Sequence, residues 1–138
     1  MTDIQETLVL IKPDGTERNL IGEILRRIEA KGYELVDLRM FTPDRALLTK
    51  HYEEHEGKPF FEPLVEFMSS GPVVAAKVRG HRVIEGFRSL AGTTDPTLAA
   101  PGSIRGDLAR DWGIKVQKNL VHGSDSPESA AREIALWF

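Results

Sequence analysis

The order of the apolar patterns along the chain is the feature that most limits its fold. Four stretches have the short length, or the alternation of apolar and polar residues, that is typical of strands. These strand candidates are residues 7–11, 36–40 and 73–78 and the apolar run that ends at His122. Other stretches carry apolar residues at helical spacing or begin with residues that start helices. These helix candidates are residues 20–28, 42–55, 60–68 and 83–90 and the stretch from Pro127 to about Trp137.

Two of these patterns also predict local detail. Val36, Leu38 and Met40 alternate with charged residues, which predicts a half-buried strand. Asn19 is available as the N-cap of the helix at 20–28, and Gly32 is its stop signal. Both ends of that helix are therefore defined by the sequence.

Without the additional helices, the elements follow the order strand, helix, strand, strand, helix, strand. This order predicts an α+β protein with a four-stranded antiparallel sheet, most simply with helices on one face, in the ferredoxin-like βαββαβ arrangement. At 138 residues, with no repeat and no linker, we expect one domain that spans 1–138. The exception to compactness is the segment from 92 to about 113, since loops of that length in small domains are usually functional or disordered.

Composition excludes several classes of protein. Hydrophobic residues make up 41% of the chain and charged residues 28%, which is the balance of a folded protein rather than a disordered one. The absence of cysteine excludes disulfides, thiolate metal sites and cysteine nucleophiles. No run reaches membrane-spanning length and residues 1–6 do not resemble a signal peptide, so we expect no membrane partner and a cytoplasmic location.

The charge balance limits how phosphate can be bound. The net charge is −3 and no stripe of Lys and Arg is evident, so nucleic acid is not expected as the main partner. The only Gly-Lys pair, Gly57 and Lys58, is followed by Pro59, so the chain has no Walker A motif. Any phosphate site must therefore be built locally from a few scattered cations.

His122 stands in the most suggestive chemical context. Gly123 has no Cβ, so the backbone can approach a ligand closely or turn sharply directly after the histidine. The short polar residues 124–126 are suited to cap a helix, and Pro127 is suited to its first turn. A strand thus delivers His122 to a helix N-terminus, which favours negative charge and can hold phosphate oxygens. This context indicates an imidazole nucleophile that carries a phosphoryl group.

Asn119 and the segment 122–126 match the active-site signature of nucleoside diphosphate kinases, which the chain therefore resembles. Further segments that look like landmarks of that family occur in the same order along the chain. They are residues 12–15, 52–55, 58–61, 70–73, 92–96 and 101–107. The resemblance covers nearly the whole sequence and implies the same ferredoxin-like fold.

The resemblance also implies an activity and a set of site residues. It implies transfer of the γ-phosphate of a nucleoside triphosphate to a nucleoside diphosphate, in ping-pong fashion, through a phosphohistidine on the pros nitrogen of His122. Glu133 and Ser124 would support the histidine, and Phe60 would stack on the base. The residues that would bind the phosphates and the sugar are Lys12, Tyr52, Arg88, Thr94, Arg105 and Asn119. Mg²⁺ would arrive with the nucleotide, Asp125 would hold a metal-bound water, and the subunits would form a homo-oligomer, either a hexamer or a tetramer.

Each of these residues also has a simpler interpretation. Lys12 and Arg88 could be solvated surface charges, and Thr94 could cap a turn. Glu133 could be a surface carboxylate and Phe60 a core residue. For the whole chain, the alternatives are a non-catalytic ferredoxin-like module that binds nucleotide or nucleic acid, and a phosphohistidine relay between proteins. No comparable signature surrounds His51, His55 and His81, which we interpret as structural or surface residues.

The chain departs from the family pattern in two places. Between Arg105 and Asn119 it is about four residues longer, so whether Ile114 or Val116 faces the base is left open. In this segment the cations either alter nucleotide preference or belong to a longer loop, and we favour the loop. These cations are Arg110, Lys115 and Lys118. The chain also ends at Trp137 and Phe138, without the longer tail of many relatives.

Overall fold

The computed structural model describes residues 3–114, 116 and 118–138 and contains one four-stranded antiparallel sheet within them. The strands are β1 (Ile4–Ile11), β2 (Glu34–Phe41), β3 (Val73–His81) and β4 (Val121–Gly123). The helices are α1 (Pro13–Glu17), α2 (Ile21–Lys31), α3 (Arg45–His51), α4 (Phe61–Met68), α5 (Val83–Ala91), α6 (Ile104–Leu108) and α7 (Pro127–Trp137). The strand order is β2-β3-β1-β4, and every neighbouring pair is antiparallel. This confirms the α+β, ferredoxin-like fold class.

Helices cover both faces of the sheet, whereas the sequence analysis expected them on one face only. In β1, Val9 and Ile11 pack into one core with α2 and α5, while Leu8 and Leu10 pack into a second core with α3, α4 and α7. The physical reason is visible in β1 itself, because its apolar run has no polar residue between 8 and 11 and both faces need cover. The additional helices therefore close the second face.

β2 is an edge strand, and three of its apolar side chains remain exposed. It pairs with β3 on one side only, with a register irregularity between Leu35 and Asp37. Val36, Leu38 and Met40 are 36%, 45% and 59% exposed, so the prediction that this strand is half-buried was wrong for this face. A row of exposed apolar side chains along a sheet edge is unusual for an isolated subunit.

The helix boundaries follow local chemistry. Asp44 caps α3 by accepting a hydrogen bond from the backbone N–H of Leu47 at 2.9 Å, and the segment to residue 55 continues as a short 3₁₀ turn rather than as α-helix. Gly32 ends α2 with φ of +103°, as predicted, whereas Asn19 makes no side-chain cap and itself lies at φ of +59°. None of the described helices is both long and apolar enough to cross a bilayer.

Candidate active site

β4 places His122 at the end of the sheet, next to the start of α7. Its pairing with β1 sets His122 opposite Leu10 and Gly123 opposite Val9. Ser126 then caps α7 by accepting a hydrogen bond from the backbone N–H of Ser129 at 3.1 Å. The expected strand, histidine and helix N-terminus therefore occur in that order.

The segment before β4 is anchored to the loop that follows β1. The backbone N–H of Lys12 donates to the carbonyl of Leu120 at 2.8 Å, and the N–H of Leu120 donates to Oδ2 of Asp14 at 3.1 Å. Leu120 has φ of +74°, a left-handed conformation that L-residues adopt only when surrounding contacts hold it. Burial raises the pKa of Asp14 despite the nearby charge of Lys12. The two site-forming loops thus depend on each other for their conformation.

His122 belongs to a hydrogen-bonded group with Glu133 and Ser124. Nε2 of His122 lies 2.8 Å from Oε1 of Glu133, and the Ser124 hydroxyl donates to the same oxygen at 2.8 Å. Glu133 is only 6% exposed, so it is not the surface carboxylate of the simpler interpretation. Burial raises the pKa of Glu133, but the hydrogen bond and charge of His122 and the hydrogen bond of Ser124 outweigh it and bring the pKa to about 2. With Nε2 paired to a carboxylate, Nδ1 is the ring nitrogen of His122 that has no hydrogen-bond partner among the described residues.

Gly123 is required by packing rather than by a turn. A Cβ at this position would lie 2.6 Å from Cδ2 of Phe87, which is buried under the strand. Gly123 is not among the residues with positive φ, so no sharp turn requires it. The sequence analysis thus identified the glycine but attributed it to a ligand or a turn instead of to the α5 side chain beneath it.

A cavity of about 340 Å³ opens beside His122 and gathers most of the predicted site residues. Besides His122 and Glu133, its walls contain the residues expected to bind phosphate and sugar, together with Asp125. These are Lys12, Tyr52, Arg88, Thr94, Arg105 and Asn119. Residues from α3, α5, α6, β4 and α7 and from the intervening loops thus meet at one place, although they are far apart in the sequence.

Lys12 begins a chain of hydrogen bonds along the cavity wall. Its Nζ donates to Oδ1 of Asn119 at 2.8 Å, and Nδ2 of Asn119 donates to the carbonyl of Thr94 at 3.0 Å. Burial lowers the pKa of Lys12 to about 8, with the charge of Arg105 acting in the same direction and Asp14 opposing it. Lys12 is therefore a desolvated cation that gains from a bound anion.

Arg105 holds two backbone segments together, one at Gly92 and one at 119–121. Its guanidinium donates to the carbonyls of Gly92, Asn119 and Val121, at 2.8, 3.2 and 2.7 Å. Burial, and then the charge of Arg88, lowers the pKa of Arg105 to about 10, so it remains charged at neutral pH. The sequence analysis expected Arg105 to clamp phosphate, but three of its five N–H donors are used by the fold.

An apolar recess adjoins the cavity and shares three of its residues. Phe60 stands at this recess with 48% of its surface exposed, so it is not a core residue. Leu64 and Val116 line the recess as well, whereas Ile114 is 53% exposed and not part of the wall. Leu64 was not predicted from the sequence, because it carries no polar signature. Val116 was left open, because the segment between Arg105 and Asn119 is longer than the family pattern.

The longer segment between Arg105 and Asn119 forms part of the surface beside the recess. Within its described residues, the exposed ring of Trp112 lies 4.4 Å from the guanidinium carbon of Arg110 and 5.9 Å from that of Arg18. Lys118 lies over the ring of Phe67 at 5.8 Å and does not line either hollow, which agrees with the loop interpretation. Lys115 lies outside the described residues.

Two histidines that the sequence analysis interpreted as structural or surface residues line the cavity. His51 is buried, and burial together with the charge of His122 lowers its pKa to about 3. His55 faces the ring of Tyr52 in a stacked arrangement, and its Nδ1 is buried without a hydrogen-bond partner among the described residues. Burial raises the pKa of the Tyr52 hydroxyl, which therefore stays a protonated donor. The signal available in the sequence was the spacing of two histidines one helical turn apart around Tyr52. His81 stays at the exposed end of β3.

Comparison with known proteins agrees with this geometry. The family model described as "Nucleoside diphosphate kinase" matches residues 5–138. A nucleoside diphosphate kinase of Mycolicibacterium vanbaalenii is 62% identical over 135 residues, which cover 97% of this chain and 96% of that protein. The corresponding protein of Thermobifida fusca is 58% identical over 135 residues, with 98% and 97% covered.

Solved structures give the same result. A halophilic nucleoside diphosphate kinase from Halobacterium salinarum, in complex with CDP, superposes with a TM-score of 0.91 at 46% identity and covers 99% of this chain and 88% of its own. A transition-state mimic of the Borrelia burgdorferi enzyme, with bound vanadate and ADP, gives 0.91 at 36% identity, with 98% and 87% covered. These findings favour phosphoryl transfer over a non-catalytic binding module. The chain belongs to the nucleoside diphosphate kinase family and is an enzyme that transfers phosphate between nucleotides.

Proposed function

We propose that Nδ1 of His122 is the atom that takes the γ-phosphoryl group of a nucleoside triphosphate. The observation that carries this proposal is the 2.8 Å contact between Nε2 of His122 and Glu133, which leaves Nδ1 as the free nitrogen beside a cation-lined cavity. The neutral ring keeps its proton on Nε2, and the carboxylate stabilises the positive charge that develops as Nδ1 attacks.

Two displacements complete the cycle. In the first, the Nδ1–P bond forms, the bond from phosphorus to the β,γ-bridging oxygen breaks, and the nucleoside diphosphate leaves with the bridging electrons. In the second, a terminal oxygen of another diphosphate attacks the same phosphorus and the ring recovers its Nδ1 lone pair. Since donor and acceptor use one site in turn, ping-pong kinetics follow.

The cavity cations provide the charge that the transferred group needs. Lys12 and Arg88 are the cations least committed to the protein backbone, while Arg105 offers its two remaining donors. Thr94 and Tyr52 add hydroxyl donors. Positive charge in a partly enclosed site stabilises the negative charge spread over the equatorial oxygens in the transition state.

The recess at Phe60 is suited to a nucleobase. A half-exposed aromatic ring opposite the apolar side chains of Leu64 and Val116 allows stacking, which depends little on the identity of the base. Lys12, Thr94 and Asn119 belong to both hollows, so a nucleotide can place its base in the recess and its phosphates beside His122. The solved relatives with CDP and with ADP carry different bases, in agreement with such tolerance.

Mg²⁺ is the divalent ion that we propose to accompany the nucleotide. It prefers oxygen ligands and keeps several waters. The carboxylates of Asp125 and Glu54 are exposed and lie in the cavity wall, so they fit an ion bound through water and not a closed protein cage. Bound to the phosphates, Mg²⁺ neutralises part of their charge.

We also propose that the chain, as one domain of 1–138, assembles into a homo-oligomer, either a hexamer or a tetramer. The support is the exposed apolar row of Val36, Leu38 and Met40 on the edge strand β2. Light scattering of the wild type and of Met40→Glu tests this, since a charge in a buried contact should dissociate it. A monomeric wild type would contradict the proposal. The cytoplasmic location stays a prediction, to be tested by cell fractionation.

Phosphate labelling tests the function directly. Protein incubated with γ-labelled ATP and Mg²⁺ should carry an acid-labile label that passes wholly to added GDP and is absent in His122→Ala. If folded, ATP-binding wild type takes no label, the covalent mechanism is wrong and the non-catalytic binding module becomes the better proposal.

A further inference from the structure

His51 brings a second imidazole into contact with the nucleophile. The ring centroids of His51 and His122 are 4.9 Å apart at 76°, edge against face. One nitrogen of each ring and a carboxylate oxygen of Glu133 all lie within 4.8 Å of one another. Two imidazoles and a carboxylate are a donor set typical of zinc rather than of magnesium. A metal ion bound by this set would compete with the phosphoryl group for His122.

Trp137 determines where the proton of His51 lies. The indole Nε1 of Trp137 is 3.0 Å from Nδ1 of His51, and an indole nitrogen can only donate. Nδ1 of His51 is therefore the acceptor, so the proton of the neutral ring is on Nε2. Because burial lowers the pKa of His51 to about 3, the ring stays neutral throughout the physiological range. In this tautomer neither nitrogen of His51 has a free lone pair.

We propose that the hydrogen bond from Trp137 locks His51 in the Nε2-protonated tautomer, and that this lock keeps His51 out of metal binding so that His122 stays free for phosphate. A metal on Nε2 of His51 would require the proton to move to Nδ1, where it would face the indole N–H of Trp137. A metal on Nδ1 would require that hydrogen bond to break. Either way a buried N–H loses its partner, because Trp137 has no exposed surface. On this basis the lock lowers the affinity of the site for a zinc-type ion by about 10- to 100-fold.

The first measurement is the tautomer itself. In ¹⁵N-histidine-labelled wild-type protein, long-range ¹H–¹⁵N correlation spectra report which ring nitrogen of each histidine carries a proton. We expect His51 to have an unprotonated Nδ1 and a protonated Nε2 from pH 6 to pH 8. A protonated Nδ1, or an average of both tautomers, would overturn the proposal. This experiment needs no variant, so it remains decisive even if substitutions at Trp137 do not fold.

The second measurement is zinc binding by calorimetry, with ZnCl₂ and nucleotide-free protein. Trp137→Phe keeps an aromatic ring but removes the donor, so it should bind Zn²⁺ about 10- to 100-fold more tightly than the wild type. The added affinity should disappear in Trp137→Phe/His51→Gln and in Trp137→Phe/His122→Ala. Phe41→Leu is the matched control, since Phe41 packs against Trp137 with ring centroids 5.7 Å apart but has no hydrogen bond to His51.

The outcomes distinguish loss of the hydrogen bond from looser packing as the cause of any gain in zinc affinity. If Phe41→Leu gains as much zinc affinity as Trp137→Phe, packing and not the hydrogen bond excludes the metal, and the proposal fails. It also fails if Trp137→Phe folds and binds zinc no better than the wild type. The proposal builds on His122 as the nucleophile, but neither measurement contains nucleotide, so its failure is distinguishable from a failure of the kinase mechanism.

Discussion

Leu8 and Ser124 are joined by two hydrogen bonds that run in opposite directions. The backbone N–H of Leu8 donates to the hydroxyl of Ser124 at 3.3 Å, and the N–H of Ser124 donates to the carbonyl of Leu8 at 3.2 Å. The hydroxyl oxygen lies 2.8 Å from Glu133, which in turn contacts His122. The position of the His122 ring is therefore linked, through Glu133 and Ser124, to the buried half of β1.

Glu133→Gln should slow phosphorylation of the enzyme by roughly 10²-fold or more, because the amide removes the negative charge that stabilises the imidazolium-like transition state. Single-turnover mixing with a nucleoside triphosphate measures this rate separately from nucleotide binding. Glu128→Gln is the control, since Glu128 is an exposed acid on the same helix. An unchanged rate in Glu133→Gln would contradict the assigned role.

The same carboxylate predicts a specific acid sensitivity. The pKa of Glu133 is about 2 in the folded protein against 4.5 for an ordinary Glu, so the unfolded state binds more protons between these values. The stabilising contribution of Glu133 is present above pH 4.5 and is lost as the pH falls towards 2. Urea unfolding between pH 5 and pH 2 should therefore show a shallower loss of stability in Glu133→Gln than in the wild type.

Lys12→Met should weaken nucleoside diphosphate binding about 10- to 100-fold, since a charge-assisted contact to phosphate is lost. In the wild type, affinity should decrease as the pH rises through about 8, where Lys12 loses its proton, and this part of the pH dependence should vanish in the variant. Calorimetric titration with ADP from pH 7 to pH 9.5 measures both effects. Lys31→Met, at the far end of α2, should retain the wild-type profile.

The contribution of Lys12 to folding stability should change with pH in the opposite direction to its contribution to nucleotide affinity. Because burial depresses its pKa from 10.5 to about 8, the unfolded state binds more protons between these values. The contribution of this residue to stability therefore rises with pH across that interval, while nucleotide affinity falls. Thermal unfolding of ligand-free wild type and Lys12→Met over the same range would contradict this assignment if the two curves stayed parallel.

Phe60→Ala should lower affinity for nucleoside diphosphates by about 5- to 100-fold, with similar losses for all bases, because a stacking platform is removed. Its effect on folding stability should be small, since the ring is 48% exposed. Competition binding with ADP, GDP and CDP tests the base independence. Trp112→Ala removes an aromatic ring that is 46% exposed but lies outside the recess, and should leave affinity unchanged.

Gly123→Ala should destabilise the fold by about 1–3 kcal/mol, because the added methyl would lie 2.6 Å from the ring of Phe87. Gly22→Ala is the matched control: nothing lies within 4 Å of its added Cβ, and alanine in a helix should stabilise by about 0.5–1 kcal/mol. Chemical denaturation of both variants measures the difference. Equal stability of the two would show that the close contact at Phe87 is relieved without strain.

The sequence could predict those features that are determined by residues close to one another in the chain. The strands, the helix boundary at Gly32, the start of a helix near 42–44 and the placement of His122 before α7 all follow from neighbouring residues, and the structure confirms them. The exposure of Leu38 could not be predicted, because an edge strand has the same alternation as a half-buried one and only the strand order distinguishes them.

The same limit applies to the candidate site, because its residues are brought together only by the fold. Lys12, Arg88 and Asn119 were identified through a resemblance, while their meeting at one cavity depends on sheet pairing that no local pattern contains. His51 was interpreted as structural because its partner, Trp137, is 86 residues away and only the fold brings the two rings together.

Arg105 donates to three carbonyls from two separate segments of chain and also lines the cavity beside His122. These three hydrogen bonds exist only in the folded protein, so replacing Arg105 removes the contacts to Gly92, Asn119 and Val121 together. In a survey of variants, position 105 should therefore behave like a core position, with losses in protein abundance as well as in turnover.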